Sequence, residues 1–220
     1  MIKGVIFDVD GVLLDSMPVW ENLGELYLKS QGREGKPGLR EILFPMSLEQ
    51  AADYLIREYD LPKTAVRVVE EVNGMIRTFY AEKAELKPGV RRYLEQFRKA
   101  GIPMAVATSS GRENVEAAFR RLSVLDLFQD ILTCSEVGQG KNHPKIYLEA
   151  AEKIGTRPEE TWVFEDTCHA LLTAKRAGFR TVAVYDRASR KDLDTLKSEA
   201  DIFLTEYGDV ELFLQQASAR

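Results

Sequence analysis

The 220 residues exceed the ~100 to 150 typical of one domain but fall short of two full ones, so one core carrying an insertion is the natural expectation. A hydrophobic content of 45% with 30% charged residues supplies a buried core and excludes an intrinsically disordered chain. The formal net charge of −5 leaves no broad basic face, which argues against nucleic acid as a partner; any anionic substrate must be met by local groups.

In chain order, Met1-Ile2-Lys3-Gly4 leads straight into the apolar run Val5-Ile6-Phe7. That run is too short for a signal-peptide core or a membrane span, so no membrane partner and a cytoplasmic location are expected. Val5 to Val9 reads as a strand ending in Asp8-Val9-Asp10-Gly11-Val12. If the chain stays extended through Asp10, the period of two puts both carboxylates on one side and turns Val9 into the core. Gly11 then permits a sharp turn. Such a strand end suits a divalent cation, a phosphoryl group, or both, with a plain acidic turn as the alternative. An EF-hand loop is excluded, since Leu13 stands where it needs glycine and Val19 where it needs a bidentate glutamate.

From Ser16 to Leu86 amphipathic helical patterns follow one another without a strand, which reads as a helical insertion. Trp20, Leu23 and Tyr27 form one stripe, and Val69, Val72, Ile76 and Phe79 another. Gly32, Gly35, Pro37 and Gly38 mark a turn between helices. Ser47 and Gln50 have capping-box spacing ahead of Leu55, Ile56 and Tyr59. Lys87-Pro88-Gly89 marks the return to the core.

Strands and helices then alternate, which indicates an α/β architecture with a parallel sheet. Candidate strands are Met104 to Ala107, Ile131 to Thr133, Trp162 to Phe164, Thr181 to Tyr185 and Ile202 to Leu204. Between them, Val115, Phe119 and Leu122 share a helical face, as do Leu171, Ala174 and Ala177, with Gly178 as a helix stop. Three strand ends carry polar groups. The first is Thr108-Ser109-Ser110-Gly111 before a helix starting at Arg112, either an anion site or an ordinary helix cap. Gly138-Gln139-Gly140-Lys141 approaches a second helix through Pro144, and Lys141 is either functional or solvated. Glu165-Asp166-Thr167 repeats the acid pair of the first strand, with Asp166 as a possible helix cap. Carboxylates at the C-terminal edge of a parallel sheet stand where α/β proteins gather ligands, and acids, hydroxyls and one lysine together suit a magnesium-bound phosphate. Cys134, Cys168, His143 and His169 lack zinc-ligand or disulfide spacing and read as reduced thiols and surface imidazoles.

The ordered set Asp8-Val9-Asp10-Gly11-Val12, Thr108-Ser109-Ser110, Lys141 and Glu165-Asp166 resembles the haloacid dehalogenase superfamily. Specifically, it is similar to the subfamily with a helical cap between the first and second motifs, which includes β-phosphoglucomutase and many small-metabolite phosphatases. The resemblance covers nearly the whole chain. It implies a Rossmann-like doubly wound parallel core (residues 1–15 and 87–220) with an inserted helical cap (16–86). It further implies Asp8 as a nucleophile forming an aspartyl-phosphate and Asp10 as general acid and base. Mg²⁺ would be held by Asp8, the Asp10 carbonyl and Asp166, with Glu165 a further ligand or a neighbour of the metal. Gly11, Thr108, Ser109 and Lys141 would hold the phosphoryl group.

The chain departs from the family pattern at Asn142-His143-Pro144-Lys145, where Pro-x-Pro-Asp is usual after the lysine, and at Thr167 and Ala170, where Ser and Gly are common. β-Phosphoglucomutase has a histidine where Trp20 stands and an arginine where Leu48 falls, so transfer to water is expected over mutase chemistry. The expected substrate is a small phosphorylated metabolite of sugar-phosphate or nucleotide type, acted on by a monomer or small homo-oligomer. A phosphomutase and a phospho-accepting signalling module are the alternatives. Trp20 and the Phe44-Pro45-Met46 segment are candidate lining for a specificity pocket, with helix packing as the other explanation.

Overall fold

The computed structural model describes residues 2–43 and 46–219. The chain divides into two compact units, Met1–Ser16 with Ala84–Arg220 and, inserted between them, Met17–Lys83.

The first unit is a six-stranded parallel sheet: β1 (Gly4–Phe7), β2 (Met104–Thr108), β3 (Asp130–Thr133), β4 (Thr161–Glu165), β5 (Arg180–Val184) and β6 (Ile202–Leu204), in the order β3-β2-β1-β4-β5-β6. β1, β2 and β4 are buried at every residue, as expected of strands covered by helices on both faces. Their alternate side chains feed two cores. Phe7 and Phe164, with ring centroids 4.6 Å apart, face Phe97 of the helix Val90–Lys99 and Phe213 of the helix Val210–Ser218. Ile6, Ala105 and Val163 face Ile146, Tyr147 and Ala150 of the helix Lys145–Lys153. Strand order reverses beside β1, between β2 and β4, so the C-terminal ends of these three strands flank the topological switch point.

The second unit consists of the helices Met17–Glu21, Leu23–Ser30, Leu39–Leu43, Leu48–Tyr59 and Ala65–Glu82. Ser47 caps Leu48–Tyr59 with a complete capping box, its Oγ accepting from Gln50 N while Gln50 Oε1 accepts from Ser47 N. Two stripes differ from the sequence expectation. The long helix buries Val68, Val72, Ile76 and Tyr80, one helical position away from Val69 and Phe79. Trp20 and Tyr27 do not share a helix, because the chain breaks at Asn22, whose side-chain amide donates back to the Pro18 carbonyl at 2.7 Å. Tyr27 is buried instead with its hydroxyl donating to Glu71, which also receives Lys63. No described helix is long and apolar enough to cross a membrane.

Candidate active site

β1 stops at Phe7, short of the expected Val9, although Asp8 N still donates to Phe164 O at 3.0 Å. The chain then closes on itself: Leu13 N and Leu14 N both donate to Val9 O, and Gly11 takes a φ of 77°, which an L side chain rarely adopts. Val9 is buried as expected, but the turn sends the two carboxylates to different partners.

Asp8, 8% exposed, places Oδ1 2.5 Å from Lys141 Nζ. That ammonium also donates to Glu165 Oε1 at 2.7 Å, an oxygen that accepts from the Tyr147 hydroxyl as well. Lys141 is therefore buried and paired, not solvated. Glu165 Oε2 is buried with no hydrogen-bond partner among the described residues. Asp166 follows at the end of β4, 1% exposed, with Ser189 Oγ donating to its Oδ2 at 3.4 Å. It does not cap the next helix, Cys168–Arg176, whose N-cap is Thr167. One oxygen each from Asp8, Glu165 and Asp166 lie within 4.8 Å of one another.

Three buried carboxylates against one ammonium leave an excess of negative charge. Burial, partly offset by Lys141, pushes the Asp8 carboxyl up from 3.8 to about 7, and Glu165 and Asp10 push it the same way. Asp166 is raised well above the usual carboxylate range by burial and by Asp8 and Glu165. Burial opposes the charge on Lys141, but the Asp8 and Glu165 carboxylates outweigh it and hold the ammonium above its ordinary value. A hard divalent cation fits this donor set: the ligands are oxygens, their charge is unbalanced, and Glu165 Oε2 is a buried acceptor with nothing to accept.

Asp10 stands apart from that group. Its Oδ1 accepts from Ser16 Oγ at 2.5 Å and its Oδ2 from Ser110 Oγ at 2.6 Å. Thr108, at the end of β2, is buried and its Oγ1 accepts from Ser110 N at 3.0 Å, so its hydroxyl hydrogen remains to donate. The following helix, Arg112–Arg121, has Gly111 as N-cap without side-chain help, so none of these hydroxyls caps it. Ser109 is exposed, its Oγ 3.4 Å from Cys134 Sγ. The Gly11 carbonyl accepts from Lys87 Nζ.

Trp20 and Met46 belong to the helical unit, where Trp20 Nε1 donates to the Tyr80 hydroxyl at 3.2 Å and Met46 N to Leu43 O. Phe44 and Pro45 lie outside the described residues. In the unusual Asn142-His143-Pro144-Lys145 segment, Lys145 Nζ donates to the Val137 carbonyl at 2.9 Å and closes the short helix Cys134–Val137.

Ser16, Ser110, Tyr147 and Lys87 contact the expected site residues without having been assigned roles from sequence. Ser110 sits inside a quoted motif; the others carry no local signal.

The family model for haloacid dehalogenase-like hydrolases matches residues 5–184. Hexitol phosphatase A of Escherichia coli K12 is 30% identical over 184 residues, covering 83% of this chain and 82% of its own. The phosphorylated carbohydrates phosphatase of Thermotoga maritima is 27% identical over 181 residues, 82% of this chain and 84% of its own. The crystal structure of β-phosphoglucomutase from Clostridium difficile shares the fold with a TM-score of 0.72 at 20% identity, covering 100% of this chain and 98% of that one. With most of its length matched, this chain belongs to the haloacid dehalogenase-like hydrolase family and is an enzyme.

Proposed function

We propose that the chain is a phosphatase for a small phosphorylated metabolite of sugar-phosphate type, working through an aspartyl-phosphate on Asp8. The observation that carries this reading is the division of labour between the two acids: Asp8 stands in the metal-fitting group against Lys141, while Asp10 is held outside it by two serine hydroxyls. The names of the phosphatase relatives support the substrate class.

An Asp8 oxygen attacks phosphorus and the bond to the leaving alkoxide breaks as Asp10 supplies its proton. Water then attacks the aspartyl-phosphate, giving its proton to Asp10, and Asp8 is released with inorganic phosphate. Lys141, the Thr108 hydroxyl and the Ser109 amide stabilise the phosphoryl oxygens as charge spreads over them, while the Gly11 amide, which donates to the Leu14 carbonyl at 3.0 Å, shapes the loop that carries Asp8 and Asp10. Asp8, Asp166 and the Asp10 carbonyl, with Glu165 as a further ligand or a neighbour, would hold Mg²⁺, which when bound would supply positive charge against the phosphoryl dianion. In this reading residues 16–86 form the cap domain and carry substrate selection. Trp20 in place of histidine and the exposed Leu48 in place of arginine favour water as acceptor over a second sugar hydroxyl.

Phosphate release from a panel of sugar phosphates with Mg²⁺, run beside Asp8→Asn, tests the reading. Release by the wild type alone is expected; equal release by Asp8→Asn overturns the nucleophile. Isomerised product without free phosphate overturns hydrolysis.

A further inference from the structure

Lys87 lies in the turn before the helix Val90–Lys99, and its ammonium gives each of its three hydrogens to a different acceptor. It donates to the Gly11 carbonyl at 2.7 Å, to the Tyr185 carbonyl at 2.9 Å and to Asp186 Oδ2 at 3.0 Å. An ammonium has three donors and no acceptor, so none is left over. The two side chains are 15% and 8% exposed, and a charge so enclosed needs the counter-charge that Asp186 supplies.

The base of this bridge is rigid. Lys87 N donates to Leu13 O at 2.9 Å, and Pro88 restricts φ at the next residue. Gly89 follows with a φ of 86°, and a Cβ there would collide with the Tyr207 carbonyl oxygen. The side chain thus reaches out from a fixed point.

Both ends of the bridge bear on the acid group. Gly11 shares one tight loop with Asp8 and Asp10, so holding its carbonyl orients the peptide planes there. At the other end Asp186 Oδ1 accepts from Ala188 N and starts the 3₁₀ turn Arg187–Asp192, from which Ser189 reaches Asp166. Since β1, β4 and β5 are adjacent in that order, Lys87 links the β1 loop to the end of β5 past the end of β4, where Glu165 and Asp166 stand.

We propose that Lys87 is a positioning residue that sets the spacing between the Asp8 loop and Asp166, and through it the affinity of the acid group for a divalent cation. This rests on the reading of that group as a metal site. Without the ammonium, the Gly11 carbonyl loses its donor and Asp186 its counter-charge. The supports on the two sides of the site are then no longer tied to each other.

The test titrates Mn²⁺ alone into the wild type, Lys87→Met, Lys87→Arg and Asp186→Asn by calorimetry, alongside thermal melting and kcat and KM for p-nitrophenyl phosphate. Lys87→Met is expected to weaken Mn²⁺ binding about tenfold, the scale typical of groups that orient metal ligands. Its kcat falls by a similar factor while KM stays within about twofold, because the bridge does not touch substrate. Lys87→Arg, which keeps the charge without the three-point geometry, recovers part of the affinity. Asp186→Asn retains both carbonyl contacts, weakens binding less, and carries the test if Lys87→Met does not fold. Lowered melting temperatures with wild-type Mn²⁺ affinity and kcat overturn the proposal, leaving Lys87 a residue that only holds the fold. A wild type that binds no Mn²⁺ overturns the metal reading itself, an outcome distinct from the first.

Discussion

Lys141 Nζ lies 2.5 Å from Asp8 Oδ1, and both groups are almost wholly enclosed. Neither charge is tolerable there alone, so each accounts for the other's burial. Lys141→Met removes the only cation described in contact with Asp8 and Glu165. Phosphatase kcat is expected to fall by roughly 10²- to 10³-fold, as when a donor to the developing charge is lost. The metal-free protein melts at lower temperature as well. Single-turnover kinetics and calorimetry check the two effects, and an unaltered kcat contradicts the role given to Lys141.

The raised Asp8 carboxyl makes the metal-free protein sensitive to pH in a defined direction. Between 3.8 and about 7 the folded chain holds a proton that the unfolded chain has lost, so this group's contribution to stability falls as pH rises through that window. Asp8→Asn removes the titration. The variant is expected to gain melting temperature over the wild type as pH is raised from about 4 to about 8 in chelator, with no gain at the acid end. A difference that is constant across the window refutes the shift.

Metal binding must displace that proton. Mg²⁺ affinity is therefore expected to rise with pH through about 7, with proton release on binding below that point. Calorimetry in buffers of different ionisation enthalpy reads the protons directly; affinity that is flat from about pH 5 to 8 would falsify the linkage.

Gly89 offers a test of the fold around the site. Alanine there must take a left-handed φ and meet the Tyr207 carbonyl, so Gly89→Ala is expected to lower stability by about 3 kcal/mol. Denaturant unfolding measures it, and a loss below about 1 kcal/mol contradicts the close approach.

In the helical unit, Ser47→Ala removes one half of the capping box and is expected to cost about 1 kcal/mol. Urea unfolding of the variant against the wild type gives the value; no change means the box adds nothing to stability.

What could be read from sequence was local. Apolar runs long enough to be buried on both faces announced the strands, because a parallel sheet covered by helices demands them, and the polar residues at their ends followed by position alone. The acids of β1 and β4 could be paired in advance because every parallel strand delivers its C-terminal end to the same edge. Amphipathic stripes were less legible: Val68 and Val69 are both apolar neighbours, and only packing decided that Val68 and Tyr80 turn inward.

The sequence by itself determined the architecture and which chemical groups reach the sheet edge. Tertiary structure decided their partners. The Asp8-Val9-Asp10 spacing suggested two equivalent carboxylates, but the turn through Gly11 gives one to Lys141 and the other to Ser16 and Ser110. Lys87 looked like part of a connecting turn, since its three acceptors lie 76 to 99 residues away. Such contacts leave no periodicity, because a buried ammonium is satisfied by whichever carbonyls and carboxylate the fold brings within 3 Å.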